Sequence, residues 1–250
     1  MPWTTEQKIF IVEAYFRQKS IHWFSDEAYF LLSGHVNSKN NIFWGSTPPE
    51  HCLQRQLHSV KCTAWVAISK HGIIGPFWFE DDNEWSVTIN TERYVQVLGK
   101  FWTALGRRSG VARVLQRFQQ DGATPHSSNE SLAWLQQRFP DRLISRRCDP
   151  QWSPHSPDLN PPDFYLWGYL KDRVYGNNPQ TIPDLKAAIK AIPREECGRV
   201  IENFARRIQM CLQRRGAHLE HIYWAPVKQR VSVVQTWNFW RCQLHRLDLM

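Results

Sequence analysis

The stretch of residues 117–168 constrains the fold more than any other, because an aspartate lies near each end of it where an apolar element meets a turn. Near its start, Phe118 belongs to an apolar segment that predicts a buried strand, and Asp121 ends that strand. Near its end, two consecutive prolines predict the start of a helix with Asp163 in its first turn. The helix dipole favours a carboxylate at that position. If the two aspartates meet in the fold, they form a hard-oxygen site of the kind that Mg²⁺ or Mn²⁺ prefers.

A third apolar segment, residues 21–28, also runs into an acid, Asp26. With it, three blocks of sequence resemble the three catalytic blocks of mariner-type transposases: FSDEA at 24–28, QDGATPH at 120–126 and SPDLNPPDF at 156–164. The blocks stand in the same order as in that family. The resemblance covers about residues 20–222.

This resemblance implies an α/β fold in which an RNase H-like mixed sheet is flanked by helices. It also implies that Asp26, Asp121 and Asp163 form a DDE/D triad, which is both the catalytic and the metal-binding set, with two Mg²⁺ or Mn²⁺ ions as cofactors. One departure from the family pattern is visible. The last two aspartates lie 42 positions apart (163 − 121), a longer interval than in many members. The extra residues are expected in the surface segment around 145–151.

The resemblance also predicts a domain organisation. Residues 21–222 are expected to form the catalytic domain. Residues 1–20 are interpreted as the remnant of an N-terminal helix-turn-helix region, because about 20 residues are too few for its three helices; the alternative is a family member with a short arm. Residues 223–250 carry aromatic residues without a clear period, and they are expected to be an atypical tail outside the catalytic domain.

The formal charge of +8 indicates a polyanionic partner, although a merely basic protein is the alternative. The resemblance narrows that partner to double-stranded DNA, implies a homodimer and leaves no small-molecule substrate. Basic side chains near the predicted site are candidates for phosphate contacts, and each could equally be a solvated surface charge. These DNA-binding candidates are Arg146, Arg147, Lys171, Arg173, Arg206 and Arg207.

Other classes of protein are disfavoured by composition. The six cysteines include no C-x-x-C pair and no zinc spacing, so they are expected to be free thiols in a reducing compartment. No run approaches the roughly 18 apolar residues that a membrane helix needs, and no signal peptide is evident. If the protein acts on DNA, it is expected in the nucleus, although the sequence has no clear targeting signal.

Three further titratable residues need an interpretation. Asp158 lies in a turn-rich loop where aspartate commonly caps its own backbone, so Asp163 is the preferred third ligand. Glu27 follows Asp26 directly, and on a strand it should point to the opposite face. His126 either contacts the substrate or the metal, or serves as a local hydrogen-bonding partner at the start of a helix.

The leading hypothesis is a transposase-derived DNA endonuclease and strand transferase that cuts and joins phosphodiesters with two divalent ions. The alternative is a catalytically silent DNA-binding or interaction protein derived from a transposase. The complete aspartate triad favours the enzyme, whereas the short N-terminal region and the atypical tail favour loss of transposition. The enzyme hypothesis predicts that the three carboxyl groups converge, each within about 8 Å of the other two.

Overall fold

A computed structural model describes residues 21–34, 60–108, 116–148, 151–152, 156–191, 197–214 and 219 of the chain. The predicted N-terminal remnant at 1–20 and the predicted tail at 223–250 lie outside the described residues. Neither part of the predicted domain organisation is therefore tested, and both stay predictions.

The centre of the fold is a mixed five-stranded sheet with the strand order β3-β2-β1-β4-β5. Neighbouring strands are antiparallel from β3 to β1 and parallel from β1 to β5. The strands are β1 (Ile21–Leu31), β2 (Lys61–Ser69), β3 (Gly72–Trp78), β4 (Gln116–Gln119) and β5 (Leu143–Ile144). This mixed sheet agrees with the predicted α/β class, and β1 and β4 are neighbours as an RNase H-like sheet requires.

Five α-helices cover the sheet within the described part of the chain. They are α1 (Thr91–Gly106), α2 (Asn129–Arg138), α3 (Trp167–Gly176), α4 (Ile182–Lys190) and α5 (Cys197–Gln213). The first begins where Asn90 accepts a hydrogen bond from the backbone N–H of Arg93 at 2.9 Å, which satisfies one of the free donors at a helix start. None of the helices among these residues has the length and hydropathy needed to cross a membrane.

The alternation of side chains along the strands divides the core into two apolar layers. Along β1, Trp23 packs with α1 and α2, whereas Phe24 packs with α3, α4 and α5. Along β2, Trp65 and Val66 divide between the same two layers. We refer to these sides of the sheet as the α1–α2 face and the α3–α5 face. Because successive residues of a strand point to opposite faces, Asp26 belongs to the α3–α5 face and Glu27 to the α1–α2 face.

Candidate active site

Two of the predicted aspartates come from neighbouring parallel strands, just beyond the part of each strand that pairs with the other. Asp26 lies in β1, and Asp121 follows the last residue of β4 by two positions. The last pair of the parallel ladder is Phe24 with Gln119, and each aspartate follows that pair by two residues. The charge of Asp121 contributes to a raised pKa of Asp26, which agrees with this proximity.

The third aspartate reaches this place from a helical segment that crosses the α3–α5 face. A π-helical turn, Pro162–Leu166, leads directly into α3 and exposes Asp163 in its first turn. One turn further, the buried indole of Trp167 donates a hydrogen bond from Nε1 to Oδ2 of Asp26 at 2.8 Å. Residues four apart share one side of a helix, so this contact brings Asp163 to the same side of the sheet as Asp26. Single π-helical turns are frequent at functional sites.

Mutual repulsion among the acids is visible in the pKa of Asp26. Burial raises this pKa well above its ordinary value, and the negative charges of Asp163, Glu27 and Asp121 raise it further, while the hydrogen bond from Trp167 opposes the rise. A carboxyl group with three acidic neighbours is the setting in which a cation would be most stabilising.

Asp163 is itself held by a neighbour in the loop that precedes it. The amide Nδ2 of Asn160 donates to Oδ2 of Asp163 at 2.9 Å, and Asn160 is buried. Asp26 and Asp163 therefore each have one carboxylate oxygen bonded to a protein donor. Hydrogen bonds of this kind orient ligating carboxylates in metal sites.

His126 connects the third carboxylate, Asp121, to the other face of β1. Its Nδ1 lies 2.5 Å from Oδ1 of Asp121, and its Nε2 lies 3.0 Å from Oε1 of Glu27. The ring is 2% exposed and stacks on Tyr94 with a centroid distance of 4.2 Å. Burial alone would lower the pKa of His126, but Glu27 and Asp121 raise it to about 10. His126 thus contacts one residue nearby in the sequence, Asp121, and one distant residue, Glu27, and a contact of His126 with substrate or metal stays a prediction.

The pKa of Asp121 is shifted in the opposite direction from the pKa of Asp26. Although burial alone would raise the pKa of Asp121, the hydrogen bond and the charge of His126 hold it below its ordinary value, with help from the backbone N–H of Ala123. That N–H donates to the same Oδ1 at 3.0 Å. Asp121 is therefore favoured as a carboxylate, whereas the neighbouring acids favour protonation of Asp26.

The donor chemistry of the three aspartates suits a hard divalent cation, because carboxylate oxygens are the ligands that Mg²⁺ and Mn²⁺ prefer. However, no three His, Cys, Asp or Glu side chains among the described residues are gathered closely enough to hold a metal ion. Like charges repel, so three carboxylates stand apart unless a cation balances them. The triad assignment and the convergence of the carboxyl groups to within about 8 Å therefore stay predictions.

Asp158 has a long-range role that the sequence did not predict. Its buried carboxylate accepts a hydrogen bond from the backbone N–H of Leu219 at 2.9 Å, and its backbone oxygen accepts one from Arg207 at 2.8 Å. The loop that delivers Asp163 is thus bonded both to α5 and to a residue after α5. Asp158 supports the geometry of this loop from outside the candidate triad.

The structure excludes Arg207 from the DNA-binding candidates. Its side chain is 3% exposed, and its guanidinium lies 4.2 Å from the ring centroid of Phe164. Adjacent residues of a helix point about 100° apart, so Arg206 and Arg207 lie on different sides of α5. Arg207 shares the buried side of α5 with Phe204 and Ile208, whereas Arg206 is exposed.

The other basic candidates remain accessible to different degrees. Lys171 is half-buried, and burial lowers its pKa, which the charge of Asp163 opposes. Arg146 lies against Gly122, the residue after Asp121, because a Cβ placed on Gly122 would come within 2.9 Å of its Cδ. Arg146, Arg147, Arg173 and Arg206 are exposed.

The chain is similar to known proteins in its structure. No protein-family model matches the sequence, and no curated protein matches it either. The structure matches the Mos1 mariner paired-end complex with Mn at a TM-score of 0.65 and 18% identity, over 86% of this chain and 62% of that chain. It matches a Mos1 transposase paired-end complex with left transposon end at a TM-score of 0.62 and 20% identity, over 86% and 62% of the two chains.

A match to the catalytic domain alone is more complete. The Mos1 transposase catalytic domain with raltegravir and Mn has a TM-score of 0.63 and 18% identity, and the match covers 86% of this chain and 94% of that chain. The chain thus spans 62% of the chain in the paired-end complexes and nearly all of the isolated catalytic domain. The RNase H-like fold expected from the three sequence blocks is confirmed, and the chain has the fold of the catalytic domain of the Mos1 mariner transposase.

Proposed function

We propose that the protein is a transposase-derived, metal-dependent DNA endonuclease and strand transferase. The observation that carries this proposal is that Asp163 and Asp121, from two separate elements, lie near enough to the buried Asp26 for their charges to raise its pKa. Asp26 lies in β1, Asp121 follows the neighbouring parallel strand β4, and Asp163 comes from the helical turn that contacts β1. Burial raises the pKa of Asp26, and the negative charges of Asp163 and Asp121 raise it further.

The similar structures support DNA as the proposed substrate and a divalent metal ion as the proposed cofactor. Mos1 structures include a paired-end complex with left transposon end and a strand transfer complex. Structures of its catalytic domain include complexes with Mn and with Mg. By analogy of fold, we propose double-stranded DNA as the substrate of this chain and two Mg²⁺ or Mn²⁺ ions as its cofactor, with a homodimer as the acting form.

Each aspartate has a distinct contribution in this proposal. Asp26 is buried and fixed by the indole of Trp167, so it defines the floor of the site. Asp121 is kept ionised by His126, and Asp163 stands on the exposed side, where DNA would approach. Bound divalent ions would lower the pKa of a water or a 3′-hydroxyl and stabilise the leaving oxygen of the phosphodiester.

Contacts with DNA are proposed for the accessible cations around the acids. Arg146 flanks Gly122, directly beside Asp121, so it is well placed to contact a phosphate near the scissile bond. Contacts of this type fix the register of DNA but carry no information about its sequence. The proposed set is Arg146, Arg147, Lys171, Arg173 and Arg206.

Nicking of supercoiled plasmid in the presence of Mn²⁺ tests the proposal. The wild-type chain should convert supercoiled to open-circular plasmid with Mn²⁺ and not with EDTA. Asp163→Asn should abolish this conversion. Asp172→Asn is the matched control, since it makes the same change in α3, the helix that follows the turn of Asp163, and should leave nicking intact. Nicking by Asp163→Asn at the wild-type rate would contradict the proposal.

A catalytically silent DNA-binding protein is the second candidate, and one observation favours it. No metal-holding group of three acids, histidines or cysteines is gathered among the described residues. Under this alternative the chain would shift DNA in a gel and bind no Mn²⁺. The two candidates therefore differ in a calorimetric titration with Mn²⁺.

A further inference from the structure

We propose that Glu27 and His126 are positioning residues that hold Asp121 in place for metal binding. This inference rests on the proposed function. It assigns a role to a carboxylate that lies on the opposite face of β1 from Asp26, and it gives His126 a role without contact to DNA.

The backbone does not hold Asp121 beside Asp26. The ladder between β1 and β4 pairs residues 21–24 with residues 116–119, and both aspartates lie beyond its last pair. Beyond the last ladder pair, side chains connect β1 to the segment that follows β4, through the hydrogen-bonded bridge Glu27–His126–Asp121. It ties Asp121 to the residue next to Asp26, which couples the positions of two candidate ligands.

The bridge fixes one oxygen of Asp121 and leaves that carboxylate little freedom to rotate. Its Oδ1 lies 2.5 Å from Nδ1 of His126 and accepts the backbone N–H of Ala123 at 3.0 Å. Both nitrogens of His126 face carboxylate oxygens, so both act as donors. Partners of this kind orient ligating carboxylates, and their loss typically weakens metal affinity or activity by about 10- to 100-fold.

His126 is itself held from several directions. The side-chain Nε2 of Gln120 donates to the backbone oxygen of His126 at 2.7 Å, and Oε1 of the same amide accepts from the hydroxyl of Tyr94 at 2.6 Å. The ring of Tyr94 stacks on the imidazole. Gln120 is the residue directly before Asp121, so the network holds the imidazole and the end of β4 as one unit. Such fixed support is what a precise ligand position requires.

Calorimetric titration of the whole chain with Mn²⁺ tests the role. The variants Glu27→Gln and His126→Gln should bind Mn²⁺ about 10- to 100-fold more weakly than wild type. Glu92→Gln and His71→Gln are the matched controls, because both residues are exposed and the substitutions are the same. Glu27→Gln keeps the shape of the side chain, so it provides the test if His126→Gln does not fold.

A second readout separates positioning from general damage to the fold. Plasmid nicking should require about 10- to 100-fold more Mn²⁺ for half-maximal rate in both variants, while excess Mn²⁺ restores a rate near that of wild type. Equal Mn²⁺ affinity in wild type and Glu27→Gln would overturn this inference and leave the proposed function standing. Failure of wild type to bind Mn²⁺ would overturn both.

Discussion

The two ends of the parallel pair β1–β4 each bury a histidine, and the surroundings move the two pKa values in opposite directions. At the amino end, His22 stacks on Phe24 at 4.4 Å, and burial together with the charge of Arg117 lowers its pKa to about 3. At the carboxyl end, Glu27 and Asp121 raise the pKa of His126 to about 10 against the effect of burial.

This difference shows that burial alone does not decide whether a histidine is charged. The parallel register pairs His22 with Arg117, so a cation neighbours the amino-end histidine. Beyond the ladder, the carboxyl ends of the same strands collect acids, so the carboxyl-end histidine is favoured as a cation. The acidic end is where a divalent ion would be stabilised, and the amino end is part of the apolar core.

The largest expected effect concerns the acidic end. Asp163→Asn should reduce Mn²⁺-dependent nicking by more than about 100-fold, beyond the range for residues that only support a ligand. Asp158→Asn should retain nicking and instead lower the free energy of unfolding by about 1–3 kcal/mol, because its buried carboxylate accepts the N–H of Leu219. Plasmid nicking and urea denaturation of both variants provide the measurements. Reversed phenotypes would show that Asp158 is the third ligand.

The next largest effect is expected when the cationic His126 is removed from the acidic end in the absence of metal. His126→Gln leaves two buried or half-buried acids without their shared cation, so the free energy of unfolding should fall by roughly 3 kcal/mol at pH 6 in EDTA. The folded-state pKa of about 10 lies above the ordinary 6.5. The contribution of His126 is therefore complete below pH 6.5 and is lost as the pH rises through 10. Urea denaturation at pH 6 and pH 9.5 should show the wild type and the variant approaching each other in stability. A gap that widens with pH would contradict the assignment.

The amino end should respond to pH with the opposite sign. The folded-state pKa of His22 is lowered from 6.5 to about 3, so protonation penalises the fold increasingly as the pH falls from 6.5 towards 3. Both ring nitrogens lack a hydrogen-bond partner within the described part of the chain. His22→Phe should therefore stabilise the protein by about 1 kcal/mol at pH 7 and by more at pH 5, because an apolar ring replaces a buried polar one beside Phe24 and Phe204. Thermal denaturation at both pH values tests this, and destabilisation at pH 5 would show that His22 has an acidic partner.

Local patterns in the sequence predicted the architecture because they reflect local physics. The apolar residues before Asp121 predicted the strand β4, and the two prolines before Asp163 predicted the start of a helical segment. The face of Glu27 also followed correctly from alternation. Its contact with His126 did not, because the two residues are 99 positions apart and meet only through the pairing of distant strands.

Two further features of the site depended on tertiary packing in the same way. No sequence pattern indicated that the indole of Trp167 donates a hydrogen bond to Asp26, and its spacing of four residues from Asp163 was the available signal. The prediction for Arg207 was wrong because the helical period of α5 turns this residue to the buried side of the helix. The contacts that hold the candidate ligands were therefore not predictable from local sequence patterns, because they form between distant parts of the chain.

The smallest expected effect compares one exposed arginine from each end of the sheet. Arg146 lies against Gly122 at the acidic end. Arg107 follows α1 at the other end, where the adjacent Arg108 donates a hydrogen bond to the backbone oxygen of His71 in the β2–β3 turn. If DNA approaches the acids, Arg146→Ala should lower the slope of log K against log salt by about 0.9, the value for one phosphate contact, while Arg107→Ala should leave it unchanged. Fluorescence anisotropy with two unrelated duplexes between low and physiological salt measures these slopes, and both duplexes should behave alike because phosphate contacts are indifferent to sequence. An equal loss in the two variants would mean that DNA binds by overall charge, without preference for the end that carries the aspartates.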